Sequence, residues 1–224
     1  MSKKPVKKSD QSKAWFKKKT YEQPYAIDAN EKNQALLIIC EGSNTEVEYL
    51  RSIPARNANI TVIGGCGSKT ALVEKALRLF QREEHRGKKV WCVYDMDYKG
   101  DQVGQKEDFN NSITKAKSKA MEVAYCNDSF ELWFVLHYRP IEQAMLRFQY
   151  YDILSELWDM NYEKRGKKMD FCIALYDLLS KDERANQTLA IERAKALLEE
   201  HKHKPYAEQN PCTTIFQLIE VLIH

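Results

Sequence analysis

Two aspartates set two residues apart, Asp95 and Asp97, close the apolar run VWCVYDMD, Val90 to Asp97. In an extended segment residues i and i+2 project to the same side, so the two carboxylates are spaced to grip one cation. A second apolar run, ALLIIC, Ala35 to Cys40, ends in Glu41-Gly42. Open parallel sheets bind ligands beyond the carboxyl ends of their strands, so acids from two strands can meet at one rim. Oxygen-only donors suit Mg²⁺ or Mn²⁺, and an open coordination shell suits phosphodiester chemistry. Glu41 lies outside the pair and reads either as a third ligand or as a general acid or base. The bland alternative is that each acid only caps a helix or closes a turn.

Three further motifs bear weighing. The run Gly64-Gly65-Cys66-Gly67-Ser68-Lys69-Thr70 invites a phosphate-loop reading but fails the Walker spacing, so no ATPase is expected. It is either a tight strand-to-helix connection or a helix N-terminus that holds a backbone phosphate. In NDSFELWFVLHY, Asn127 to Tyr138, Glu131 is a polar residue in an otherwise apolar turn near the strand ends. It extends the acidic cluster or favours the helix dipole. Trp133 and Phe134 read as core. His137 reads as structural, with a nucleic-acid contact as the alternative; Lys69 and Lys99 are the other candidates for holding a nucleic-acid backbone. His201-Lys202-His203-Lys204 lacks acidic or cysteine partners at ligand spacing and reads as a basic helix end.

The elements needed to position these residues follow from periodicity. Strands are expected over Ala35 to Cys40, Asn59 to Ile63, Val90 to Asp95 and Met121 to Cys126. Helices are expected from the Gly42 turn to about Ser52, after a Ser68 cap, over about Asp108 to Ala120, and over Phe130 to Tyr138 behind an Asp128-Ser129 cap. Alternation of strands and helices argues for a parallel sheet with right-handed crossovers. After Pro140 only helical patterns remain, roughly 142–160, 169–180, 184–201 and 212–223. The organisation expected is a basic, flexible leader over 1–33, an α/β domain over 34–140, and a helical extension over 141–224 packed on it.

Composition sets the class. With 224 residues, 43% of them hydrophobic, the chain can bury a real core. No run approaches the ~20 apolar residues of a membrane helix, and the start is too basic for a signal peptide. Six cysteines without a CxxC pair argue for a reducing, cytoplasmic protein without disulfides or zinc. The net charge of +3 hides an asymmetry: residues 1–20 hold eight lysines against the single Asp10, a balance of +7, leaving −4 for the rest. Such an arm is either a solvated tail or a contact for a phosphate backbone.

An EG turn after the first strand with a DxD after a later one resembles the Toprim domain of topoisomerases, primases and OLD-type nucleases. More closely, the chain resembles the RloB family, in LLIICEGSNTEVEYL (Leu36 to Leu50), VWCVYDMD, AYCNDSFELWFVLHY (Ala124 to Tyr138) and the PCTTIFQLIEVLI segment (Pro211 to Ile223). The resemblance implies an α/β, Toprim-like (Rossmann-like) fold: a four-stranded, mainly parallel sheet flanked by helices, with an all-helical C-terminal extension. It implies Mg²⁺-dependent cleavage of DNA or RNA in bacterial antiphage defence. Glu41 takes the general acid/base role, Asp95 and Asp97 the metal role, and Glu131 and His137 fall in the family's ELW…H segment. Two alternatives come with it: a Toprim fold that binds nucleic acid without turnover, and a subunit active only with an ATPase or other defence-system partner. Assembly as a homo-oligomer is compatible with all of these.

Overall fold

The computed structural model describes residues 34–55, 58–67, 69–100 and 103–224; the leader and the Ser68 cap lie outside the described residues. Four apolar runs become parallel strands, β1 (Gln34–Cys40), β2 (Ala58–Ile63), β3 (Lys89–Asp95) and β4 (Glu122–Asn127). The helices between them are α1 (Thr45–Ser52), α2 (Lys69–Phe80) and α3 (Gln105–Ser118). Then come α4 (Glu131–Leu136), α5 (Arg147–Leu157), α6 (Tyr162–Arg165), α7 (Met169–Lys181), α8 (Gln187–His201) and α9 (Ile215–Ile223).

Each central strand is apolar on both sides because both sides are covered. Alternate residues feed different cores. Leu36, Ile38, Trp91, Val93 and Ala124 meet α1, α4 and the C-terminal helices. Leu37, Ile39, Cys92, Tyr94 and Val123 meet α2 and α3. That division follows from topology. The parallel strands lie in the order β2-β1-β3-β4, so the chain steps one way from β1 to β2 and the other way from β2 through β3 to β4. Right-handed crossovers made in opposite directions place their helices on opposite faces. The direction changes between β1 and β3, and a crevice for ligands opens beyond the carboxyl ends of two such strands.

The expectation of four strands and an all-helical extension is corrected. A fifth strand, β5 (Cys212–Thr213), pairs antiparallel with β4 through Cys126↔Thr213 and Asn127↔Cys212. Two residues carry no periodicity to read. What makes them a strand is the free edge of β4, reinforced by Thr214, whose Oγ1 accepts from Tyr125 N at 2.9 Å and whose N–H donates to Tyr125 O at 2.8 Å. The last helix therefore starts at Ile215 rather than 212.

The Asp128-Ser129 cap is also corrected. Phe130 occupies the cap position of α4 and no side chain caps it. The Asp128 carboxylate instead accepts from Tyr98 N at 2.7 Å and from Arg147 N at 3.0 Å, tying the loop after β3 to the start of α5. All six cysteines are free and buried. Among the described residues no helix is long and apolar enough to cross a membrane.

Candidate functional site

At the end of β1, Glu41 N still donates to Val93 O at 2.9 Å, so the residue is held in the sheet. Its carboxylate meets Lys69 Nζ at 3.3 and 3.4 Å, at the first residue of α2. The chain then turns at Gly42, where a Cβ would overlap the Glu46 carboxylate as it folds back from the first turn of α1. The glycine run braces the same turn. Gly65 N donates to Gly42 O at 2.9 Å, and a Cβ on Gly64 would come within 2.8 Å of that same carbonyl oxygen. Gly65 and Gly67 hold φ of 63° and 81°, a region that glycine enters without strain. The glycines of the run thus serve a tight strand-to-helix connection.

At the end of β3, Asp95 Oδ2 accepts from Phe130 N at 3.0 Å, while Oδ1 is buried without a hydrogen-bond partner. Asp97 N donates to Asp128 O at 2.9 Å, and Asp97 adopts φ 49°. The extended conformation has ended there, so the simple i, i+2 geometry does not carry through. The Asp97 carboxylate pairs with Arg147 of α5 and lies 3.9 Å from Lys99 Nζ. From α4, the buried Glu131 takes the Lys167 ammonium at 2.6 Å and the Tyr162 hydroxyl at 3.1 Å.

These elements enclose a cavity of about 280 Å³ whose charged lining is Glu41, Glu46, Asp95, Asp97, Arg147 and Lys167. Burial pushes the Asp95 carboxyl well above the usual carboxylate range, and Glu46, Glu131 and Glu41 push it further. Burial also raises Glu41, against the pull of Lys69, and raises Glu46, against the pull of Lys167. At Glu131 burial acts upward too, but Lys167 outweighs it and the carboxyl stays below its ordinary value. Among the described residues Asp95 has no cation at its oxygens, and one backbone donor serves only Oδ2.

The structure thus brings Glu41, Asp95 and Asp97 to one cavity and sets Glu131 behind it, with Lys167 between. Lys69 is buried on Glu41, so it acts on that carboxylate and offers little surface to a polymer. Lys99 is half-exposed at the rim. His137 is elsewhere: its Nδ1 lies 2.9 Å from Trp133 O, its ring packs edge-on to Trp133, and it lines a separate cavity with Tyr49 and Tyr176. Burial, together with Arg193, holds its pKa down at about 4, as an uncharged core residue. That placement gives it no side-chain surface for nucleic acid.

Sequence reasoning missed Glu46, Arg147 and Lys167. Glu46 carried a signal, an acid in the first turn of a helix that starts beside the EG turn. Arg147 and Lys167 carried none, because both reach the site from the C-terminal helical region through tertiary packing.

The donors suit a hard divalent cation, being all carboxylate, with the orphaned Asp95 Oδ1 among them. Among the described residues no three Asp, Glu, His or Cys side chains stand at the spacing of a ready-made metal site. Two of the acids are held instead by Lys69 and Arg147. The chemistry of the donor set fits; closing it on a cation requires the ion pairs to loosen.

The chain is an α/β protein, its mostly parallel sheet flanked by helices, with an acid cluster at the β1/β3 crevice. The model of the RloB-like protein family matches residues 36–222, and the chain belongs to that family. No curated protein matches the chain.

Proposed function

We propose that this protein is a metal-dependent, Toprim-type nuclease that hydrolyses phosphodiester bonds of DNA or RNA in the bacterial cytoplasm as part of antiphage defence. The observation that carries the reading is the meeting of Glu41 and Asp95, from the ends of two adjacent parallel strands, in one cavity where Asp95 Oδ1 has no partner. Asp95 and Asp97 would hold Mg²⁺ or Mn²⁺, with Glu46 a further oxygen donor on the same wall. A cation held there would supply Lewis-acid chemistry, polarising the phosphodiester and offsetting charge on its oxygens. Arg147 and Lys167 supply cations for the non-bridging oxygens of the same phosphate. Glu41, raised by burial and held by Lys69, is suited to hand over or accept a proton. Glu131 is a positioning residue: its ion pair fixes Lys167 at the cavity and keeps it charged.

The test is incubation of the purified protein with mixed tRNA, single-stranded DNA and plasmid, in Mg²⁺, Mn²⁺ or EDTA, beside Asp95→Ala. Metal-dependent cutting that the variant loses is the expected result, and it identifies the polymer. Equal cutting by the variant, or in EDTA, would sink the mechanism.

A second reading has its own support. The Arg147–Asp97 and Lys69–Glu41 pairs hold two of the three key acids, as expected of a subunit whose site opens only when an ATPase or another defence-system partner docks. Cutting that appears only on adding such a partner would favour it.

A further inference from the structure

Beside the acidic cavity lies a second one of about 340 Å³, lined by Met96, Tyr98, Lys106, Asn127 and Leu146 among others. That volume falls within the ~300–1,000 Å³ of small-ligand clefts. The two cavities share a wall. Asp97 lines the first and its neighbour Tyr98 the second; Arg147 lines the first and its neighbour Leu146 the second. The Asp128 carboxylate, bonded to Tyr98 N and Arg147 N, locks this wall in place. Tyr98 is 41% exposed, and Lys106 Nζ stands 5.7 Å from its ring centroid. Leu146 is 36% exposed. Asn127 Nδ2 donates to Tyr206 O at 3.1 Å, and its Oδ1 carries no bond among the described residues.

An exposed aromatic face, an aliphatic wall and a spare amide acceptor match a flat heteroaromatic ring with polar edges. The exposed cations nearby, Lys99 and Lys106, match the polyanion that would carry it, against the one acid of the lining, Glu208. We propose that this second cavity receives one unpaired nucleobase, stacked on Tyr98, from the strand whose phosphate lies in the acidic cavity. The inference rests on the nucleic-acid reading above and narrows its substrate to single-stranded or looped segments. A base inside a duplex is stacked on both faces and cannot enter without being extruded.

The experiment is fluorescence anisotropy with the full chain in EDTA at fixed salt, so that binding is read without cleavage. The probes are a labelled single-stranded RNA, a single-stranded DNA of the same sequence, and the blunt duplex. Either single strand should bind more tightly than the duplex. Tyr98→Ala should weaken single-strand binding by roughly tenfold or more, from the loss of one stacked base, while Tyr98→Phe and Tyr98→Trp should retain it. Tyr98 is exposed, so the variant should melt as wild type does. Equal binding of strand and duplex, no binding of any probe, or wild-type binding by Tyr98→Ala would each overturn the proposal. If Tyr98→Ala binds normally while the protein cuts with metal, only this inference fails. If Tyr98 governs binding but nothing is ever cut, the nuclease reading fails and this one stands.

Discussion

The two neighbouring strands β1 and β3 both deliver a carboxylate to the same rim, yet the protein treats the two acids in opposite ways. Glu41 is met by a buried lysine, Lys69, and by a backbone hydrogen bond from Asp95. Asp95 has one backbone donor, an orphaned oxygen and three acidic neighbours. A buried charge without a counter-charge is costly, and a carboxyl so placed keeps its proton. The contrast separates a paired carboxylate from one that, on the proposed reading, a cation would complete. Lys167 and Arg147 temper the surrounding acids, Glu131 and Asp97, without reaching Asp95 itself.

The comparison breaks most visibly at Asp95. Asp95→Asn keeps the shape of the protonated carboxyl but cannot ionise to hold a cation, so cleavage should fall by about a thousandfold or more, the scale on which active-site electrostatic groups act. Stability at neutral pH should equal or exceed that of wild type in a thermal melt. The pH dependence follows from the same shift. The folded state holds the Asp95 proton more tightly than the unfolded state, so its contribution is full at acid pH and is lost as pH rises toward the elevated value. The fall of Tm with rising pH should therefore be shallower in Asp95→Asn.

At Glu41 the expectation reverses. Lys69→Met leaves a largely buried carboxylate without its partner and should cost about 4 kcal/mol in urea unfolding. Adding Glu41→Gln should restore most of that loss, because the pair is then removed together.

How much of this was legible in the sequence depends on the range of the interaction. The parallel strands announce themselves as apolar runs, and the acids that end them sit one residue past the apolar stretch. Chain order alone then leads to the crevice. Glu46 was legible only as a helix-start residue, since its return to the site depends on the absence of a Cβ at Gly42. Lys167 belongs to the turn between the one-turn α6 and α7, and nothing local distinguishes it from the other exposed lysines there. β5 exists because of β4's edge and has no pattern of its own. His137 lies six residues from Glu131 on one apolar segment, and only packing against Trp133 separates a neutral core group from a site residue.

His137 supplies the next prediction. Its pKa of about 4 lies below the unfolded value of ~6.5. The folded state therefore binds fewer protons between those limits, and stability should drop by up to about 3 kcal/mol as pH falls from 6.5 to 4. His137→Gln should lose that acid sensitivity without changing how the protein handles nucleic acid. The smallest effect belongs to Lys99, half-exposed and 3.9 Å from Asp97. Lys99→Ala should alter stability by less than about 0.5 kcal/mol, and any change in nucleic-acid binding should shrink as salt rises.

The most direct test of the central claim needs no knowledge of the substrate. Mg²⁺ would be titrated into the wild type and Asp95→Asn while the melting temperature is followed, since a ligand that binds only the folded state raises it with concentration. The account predicts a progressive rise for the wild type and none for Asp95→Asn. An equal rise in both, or no rise in the wild type at any concentration, would contradict a cation site at the end of β3.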